Sequence, residues 1–141
     1  MKCIAEVVEH VKPIVEAAHA AGMKVLLWGG PTLAEENSPL VKEHPEWMIR
    51  QAERGKTGIG GNPKPVRLYE VNLGLPAARS GLADLFSNLI QENGVDCFRD
   101  DCGMPIGDDE PDRQGISEIR CVTGLYAFWD ELSKRHPGLL L

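Results

Sequence analysis

Apolar positions along the chain alternate between stretches with a three- to four-residue beat and short continuous runs. Over residues 3–21, Ile4, Val7, Val8, Val11, Ile14, Val15 and Ala18 fall on one stripe, which predicts a helix. Pro13 either kinks that helix or opens the first turn of a shorter one, and Gly22 is placed to close it. The run MKVLLW (23–28) is too short for a helix and is bounded by glycines, so it predicts a buried parallel strand stopped by Gly29, Gly30 and Pro31. Residues 33–64 are polar and irregular. A short helix is expected over 40–44 behind Ser38-Pro39, a further turn over 44–48, and a glycine- and proline-bearing loop over 55–65. Arg67 to Asn72 alternate polar and apolar and predict a short strand. Pro76 then opens a helix over about 76–92, with Leu82, Leu85, Phe86, Leu89 and Ile90 as its apolar face and Asn93-Gly94 as its end. A strand over 95–100 follows, then an acidic loop. The last helix, over about 115–135, is expected to pack through Ile119, Val122, Leu125, Tyr126, Trp129 and Leu132. Residues 139–141 read as the start of another buried strand.

Strands alternating with helices imply an α/β fold with a parallel sheet and right-handed crossovers. The chain opens on a helix with no strand before it and stops inside a strand. It therefore reads as a piece of a larger α/β barrel, cut at both ends, with all of 1–141 in one unit. Its 141 residues suffice for one ordinary domain, and 43% apolar with 26% charged residues is a globular balance. A net charge of −6 argues against nucleic acid or an anionic membrane as partner. No apolar run approaches the roughly 20 residues of a membrane helix, and Glu6 and Glu9 interrupt the N-terminal segment as a secretory signal. A cytoplasmic location is the default expectation. Cys3, Cys97, Cys102 and Cys121 match no zinc spacing and read as free thiols, with a disulfide or a metal site as the alternatives. His10, His19, His44 and His136 show no partner spacing and receive no role.

Chemistry concentrates in GVDCFRDDCGMPIGDDEPD (94–112), a strand that ends in charge. Ligands of α/β proteins bind beyond the carboxyl ends of parallel strands. Side chains alternate along a strand, so Val95, Cys97, Arg99 and Asp101 share one face and Asp96, Phe98 and Asp100 the other. Phe98 suits packing against helices, which sends Arg99 and Asp101 toward the barrel axis. An Arg two residues before an Asp on one face holds the Asp ionised. Asp101 is then a candidate nucleophile, general base or metal ligand, and the competing reading is a buried Arg99–Asp101 ion pair that only orients the loop. Asp100 and Asp101 point apart, whereas a retaining glycosidase sets its two carboxyls about 5–5.5 Å apart across a sugar. Asp108, Asp109, Glu110 and Asp112 read as a solvated loop rather than ligands. Trp28, at the end of another strand, reads either as core or as a face for stacking on a sugar. Trp47 and Trp129 read as packing.

The segments AAGMKVLLW, HPEWMIR, NLGLPAAR, GVDCFRDD and PDRQGISEIRCVTGLYAFWDELSKRHPGLLL, in this order and spacing, resemble the melibiase-type α-galactosidases of glycoside hydrolase family 36 (clan D). The resemblance runs from about Val11 onward. It implies a partial (β/α)₈ TIM barrel of roughly three of the eight βα units, with 22–28 as the third strand and 95–101 as the fourth. By the same resemblance Asp101 is the nucleophile that forms the glycosyl-enzyme, Arg99 binds a sugar hydroxyl, and Trp28 and Asp100 join the substrate site. Where the family continues with an aromatic-Glu-Pro-Glu type segment, this chain has Gly29-Gly30-Pro31-Thr32. Where it often has an aromatic and Asn after the nucleophile, this chain has Cys102 and Gly103.

The function so implied is part of a retaining glycoside hydrolase acting on α-galactosides, with no cofactor and no metal. The family's acid/base carboxyl lies on a later strand, so the isolated chain is expected to be inactive, and its open sheet edges are expected to favour self-association. Two further readings remain open. One is a metal-dependent barrel enzyme in which Asp100, Asp101 and loop acids hold Mg²⁺ through oxygen; the other is a non-catalytic orphan barrel piece.

Overall fold

The structure, a computed structural model, describes residues 2–49, 68–101 and 109–141, and the backbone alone over 2–10. The elements are α1 (Lys2–Ala20), β1 (Leu26–Gly29), β2 (Leu33–Glu35), α2 (Pro39–Glu43), a 3₁₀ turn (Pro45–Trp47), β3 (Met48–Ile49), β4 (Leu68–Val71), α3 (Pro76–Asn93), β5 (Cys97–Asp100) and α4 (Ile116–Arg135). The expected loop over 55–65, the side chains of Cys3 and His10, and Cys102, Gly103 and Asp108 lie outside the described residues.

α1 runs through Pro13 without a break in its helical backbone, and Gly22 closes it at φ +74°. Of its described stripe, Val15 is buried and Ile14 is exposed. Pro76 occupies the first turn of α3, and Gly94, at φ +68°, ends it with its N–H on the Ile90 carbonyl. β1 and β5 pair in parallel with Leu26 beside Cys97, Leu27 beside Phe98, Trp28 beside Arg99 and Gly29 beside Asp100. The expected strand at 139–141 begins as a parallel bridge, in which Phe98 N–H donates to the Leu140 carbonyl and Leu140 N–H to that of Asp96. The helices α3 and α4 cover one face of this sheet.

β4 is a strand, as its alternation predicts, but it joins a different sheet. It lies between β2 and β3 in a small antiparallel sheet of order β2-β4-β3. The stretch read as irregular therefore holds two short strands, β2 and β3, around the expected helix and turn. Ser38 caps α2 through its hydroxyl, which accepts from Val41 N–H at 3.4 Å. Trp47 folds back onto α3 at Gly81, whose missing β-carbon leaves room for the indole ring.

The core is built by Val71, Leu73, Ala78, Leu82, Ile90, Val95, Phe98, Leu125, Phe128 and Leu132. On α4 the buried set is Cys121, Gly124, Leu125, Phe128 and Leu132, spaced three and four apart. Ile119 and Tyr126, expected on the packed side, are exposed. Two apolar stripes run side by side on this helix. Gly124 decides between them, because it lets the backbone at Leu73 approach the helix directly.

Candidate functional site

The parallel register sets the geometry at the end of the sheet. Residues that pair side by side in neighbouring strands share a face, so Leu26, Trp28, Cys97 and Arg99 stand on the face away from the helices, with Leu140 beside Cys97. Asp101, one residue past β5, joins them: Arg99 Nη2 donates to its Oδ2 at 2.9 Å. The Arg99 and Asp101 side chains are 62% and 55% exposed, so the pair is not the buried ion pair that the sequence allowed. Trp28 is 60% exposed and is not core. An indole face, a guanidinium and a carboxylate thus meet on one open surface. That is an apolar platform beside groups that take up hydroxyls, with a carboxylate free to approach a bound molecule.

Asp100 leaves β5 on the other side, as alternation requires. Its Oδ2 accepts the Trp129 indole N–H from α4 at 2.9 Å. Burial pushes its carboxyl above the ordinary range; the Trp129 hydrogen bond pulls it down and the Asp101 charge adds a further upward push. Arg99, Asp100, Trp129, Asp130, Ser133 and Leu140 line a groove of about 590 Å³ between β5 and α4. A more apolar cavity of about 390 Å³ lies between β2, α2 and α3, over Ala34, Leu40, Trp47, Leu85 and Phe86. None of Trp28, Arg99, Asp100 or Asp101 borders it, so it lacks the chemistry of the strand end.

The acids before α4 have structural work. Asp109 accepts Gly115 N–H at 2.6 Å and Ser117 N–H at 3.2 Å, capping the first turn of α4, and these backbone bonds hold its carboxyl below the ordinary range. Glu110 pairs with Arg120 and Arg113, and the Arg120 hydrogen bond does most to lower its pKa. Among the described residues no three His, Cys, Asp or Glu side chains gather as a metal site would require. Cys97 and Cys121 are free; the Cys121 thiol is buried at 3.4 Å from Asn72 Oδ1, and burial raises its pKa.

The histidines, given no role from sequence, do have partners. His19 Nε2 lies 2.8 Å from Asp96 Oδ2, which also accepts Val25 N–H at 2.8 Å and so ties α1 to the start of β5. His136 shares a 2.8 Å hydrogen bond with the buried Ser87, joining the end of α4 to α3. His44 stacks on Trp47 with ring centroids 3.7 Å apart. Sequence separations of 77 and 49 residues hide the first two from any local pattern.

The melibiase family model matches residues 4–141. Among curated proteins, α-galactosidase 1 of Pediococcus pentosaceus is 27% identical over 132 residues, covering 89% of this chain and 17% of that protein. The α-galactosidase from Lactobacillus brevis superposes with a TM-score of 0.70 at 22% identity, over 92% of this chain and 17% of that one. A variant of the glycoside hydrolase family 36 α-galactosidase AgaA from Geobacillus stearothermophilus, solved in complex with stachyose, gives 0.66 at 20% identity over 92% and 18%. The chain therefore spans less than a fifth of the length of these relatives.

Proposed function

Since this chain belongs to the melibiase family, we propose that it forms part of the (β/α)₈ catalytic barrel of a retaining α-galactosidase-type glycoside hydrolase, with the open face of β1 and β5 as part of the barrel interior. Asp101 is the nucleophile that attacks the anomeric carbon of an α-galactoside. Arg99 pairs with that carboxylate and donates to a sugar hydroxyl. Trp28 offers its ring to the apolar face of the sugar. The observation that carries this reading is the register that sets Trp28 beside Arg99, together with the 2.9 Å Arg99–Asp101 contact on the exposed face.

Retaining hydrolysis needs a second carboxyl to protonate the leaving oxygen and then to activate water. Asp100 faces α4, so it does not stand across a sugar from Asp101. The acid/base belongs to another part of the barrel, and the 141 residues alone do not turn over substrate. Leu26 and Leu140, exposed here, are covered in the whole barrel, and without it they favour self-association.

The test is covalent trapping in the complete enzyme. An activated fluorinated galactoside, whose glycosyl-enzyme hydrolyses slowly, should leave its sugar on the peptide containing Asp101. A label on any other carboxyl, or turnover that survives Asp101→Ala, sinks the assignment. The metal-dependent alternative has less support, because Asp109 and Glu110 are already engaged by α4 and its arginines.

A further inference from the structure

Among the described residues, the end of β5 has few side-chain partners. Asp100 is its last residue, and its neighbour in β1 is Gly29, which has no side chain to steady it. On the other edge, Leu140 covers the strand as far as Phe98, whose N–H it accepts. Asp101 lies beyond the ladder, and its side chain and that of Arg99 are both exposed. Among the described residues, the side-chain hydrogen bond that anchors this end comes from Trp129. Trp129 is carried on a rigid support, since Cys121, Leu125, Phe128 and Leu132 pack the inner face of α4 into the core.

We propose that Asp100 is a positioning residue: by accepting the Trp129 indole N–H it ties the last residue of β5 to α4 and sets the direction in which Asp101 leaves the strand. The inference rests on Asp101 being the carboxylate that meets the sugar; the tie itself does not.

The chemistry of the pair supports a geometric role. A carboxylate half withdrawn from water with one neutral donor is an unfavourable choice for mere packing, where an apolar side chain would do better. Among the described residues, its surroundings offer little to offset that. Arg99 and Asp101 flank it along β5 on the opposite face, Asp130 of α4 lines the same groove, and β1 presents only Gly29. What the Asp100–Trp129 pair supplies is direction, because an indole N–H and a carboxylate oxygen bond well over a narrow range of angles.

The test uses nuclear magnetic resonance on the ¹⁵N-labelled chain and on Asp100→Asn, Asp100→Leu and Trp129→Phe. In the parent and in Asp100→Asn, whose amide oxygen still accepts, the Trp129 indole proton should exchange with solvent about tenfold more slowly than in Asp100→Leu. In the parent that resonance should move as Asp100 titrates, and in Asp100→Asn it should not. The residual dipolar coupling of the Asp101 N–H, which reports its orientation, should change alike in Asp100→Leu and Trp129→Phe and be restored in Asp100→Asn. Equal indole exchange in parent and Asp100→Leu overturns the tie. An Asp101 coupling that is the same in all four proteins overturns the positioning role. Covalent trapping in the complete enzyme reads the sugar assignment separately. If the fluorinated galactoside labels a carboxyl other than Asp101 while the couplings change as expected, the galactoside reading fails and the geometric tie stands.

Discussion

The carbonyl oxygen of Leu73 occupies the space that a β-carbon on Gly124 would need. This contact joins the turn after β4 to α4, and it decides which side of the helix faces the core. At an exposed helix position Gly→Ala stabilises by about 1 kcal/mol, since alanine is the better helix former. Here the added methyl must push backbone rather than a flexible side chain. Gly124→Ala is therefore expected to destabilise by about 1–3 kcal/mol, read as a lower urea midpoint with the slope unchanged. A midpoint that rises would show that the helix moves aside at no cost.

The same contact separates the two apolar stripes of α4. Phe128 is fully buried and Tyr126 is 58% exposed. Phe128→Ala is expected to cost about 3–5 kcal/mol, and Tyr126→Ala to stay within about 0.5 kcal/mol. Equal losses in thermal or urea unfolding would contradict the observed face.

What the sequence revealed, and what it concealed, follows the range of the interactions. The strand at 95–100 and the opposite faces of Asp100 and Asp101 were legible because a period of two needs only neighbours along the chain. Pro76 and Gly94 marked the ends of α3 for equally local reasons. The inner face of α4 was legible in part. Leu125 and Leu132 lie on the expected side and are buried, whereas Ile119 and Tyr126 are exposed and Cys121 and Phe128 take their place in the core. The contact with Leu73 that sets this rotation spans 51 residues and leaves no local pattern. The sheet of β2, β4 and β3 was hidden for a similar reason, since strands of two to four residues carry too little alternation to announce their partners. Trp28 and the Arg99–Asp101 pair were placed on the correct elements, but their exposure depends on what packs beside the sheet.

Acid should act on two carboxylates in the same direction. His19 first and Val25 N–H second lower the pKa of Asp96, and the N–H groups of Gly115, Ser117 and Ile116 lower that of Asp109. A carboxylate with a depressed folded-state pKa contributes stability that is present above its unfolded value and is lost as pH falls through the folded one. Both contributions should therefore fade below the ordinary carboxylate range of about 4. Asp96→Asn and Asp109→Asn should each lower the urea midpoint at pH 7 and make little difference near pH 2. In Asp109→Ala, hydrogen exchange should quicken first at residues 115–117. A deficit that is constant with pH would show that shape rather than charge matters at these sites.

Asp100 should behave in the opposite sense. Burial raises its pKa, so its charge destabilises the fold above the folded-state pKa, and the penalty is relieved as pH falls through that value. Asp100→Asn keeps an acceptor for Trp129 and removes the charge. It is expected to raise the urea midpoint at pH 7 and to leave it nearly unchanged at pH 3. A variant less stable than the parent at pH 7 would mean that the charge itself strengthens the indole hydrogen bond enough to outweigh its desolvation.

Arg99 offers the sharpest separation between scaffold and chemistry. Were its pairing with Asp101 a buried link orienting the loop, removing it would strand a charge and cost several kcal/mol. Both partners are more than half exposed, and exposed ion pairs are worth about 0–1 kcal/mol. Arg99→Ala is therefore expected to shift stability by no more than about 1 kcal/mol. On the proposed reading, the same change in the complete enzyme removes both a donor to the sugar and the cation paired with Asp101. It should lower kcat/KM for an α-galactoside by about 10²-fold or more, the loss of roughly 3 kcal/mol of transition-state stabilisation. Arg99→Lys, which keeps the charge but loses the planar fork, should fall between. Measured together, unfolding and turnover leave the two readings no common outcome: a large loss of stability makes Arg99 a strut, and a large loss of turnover at nearly constant stability makes it part of the sugar site.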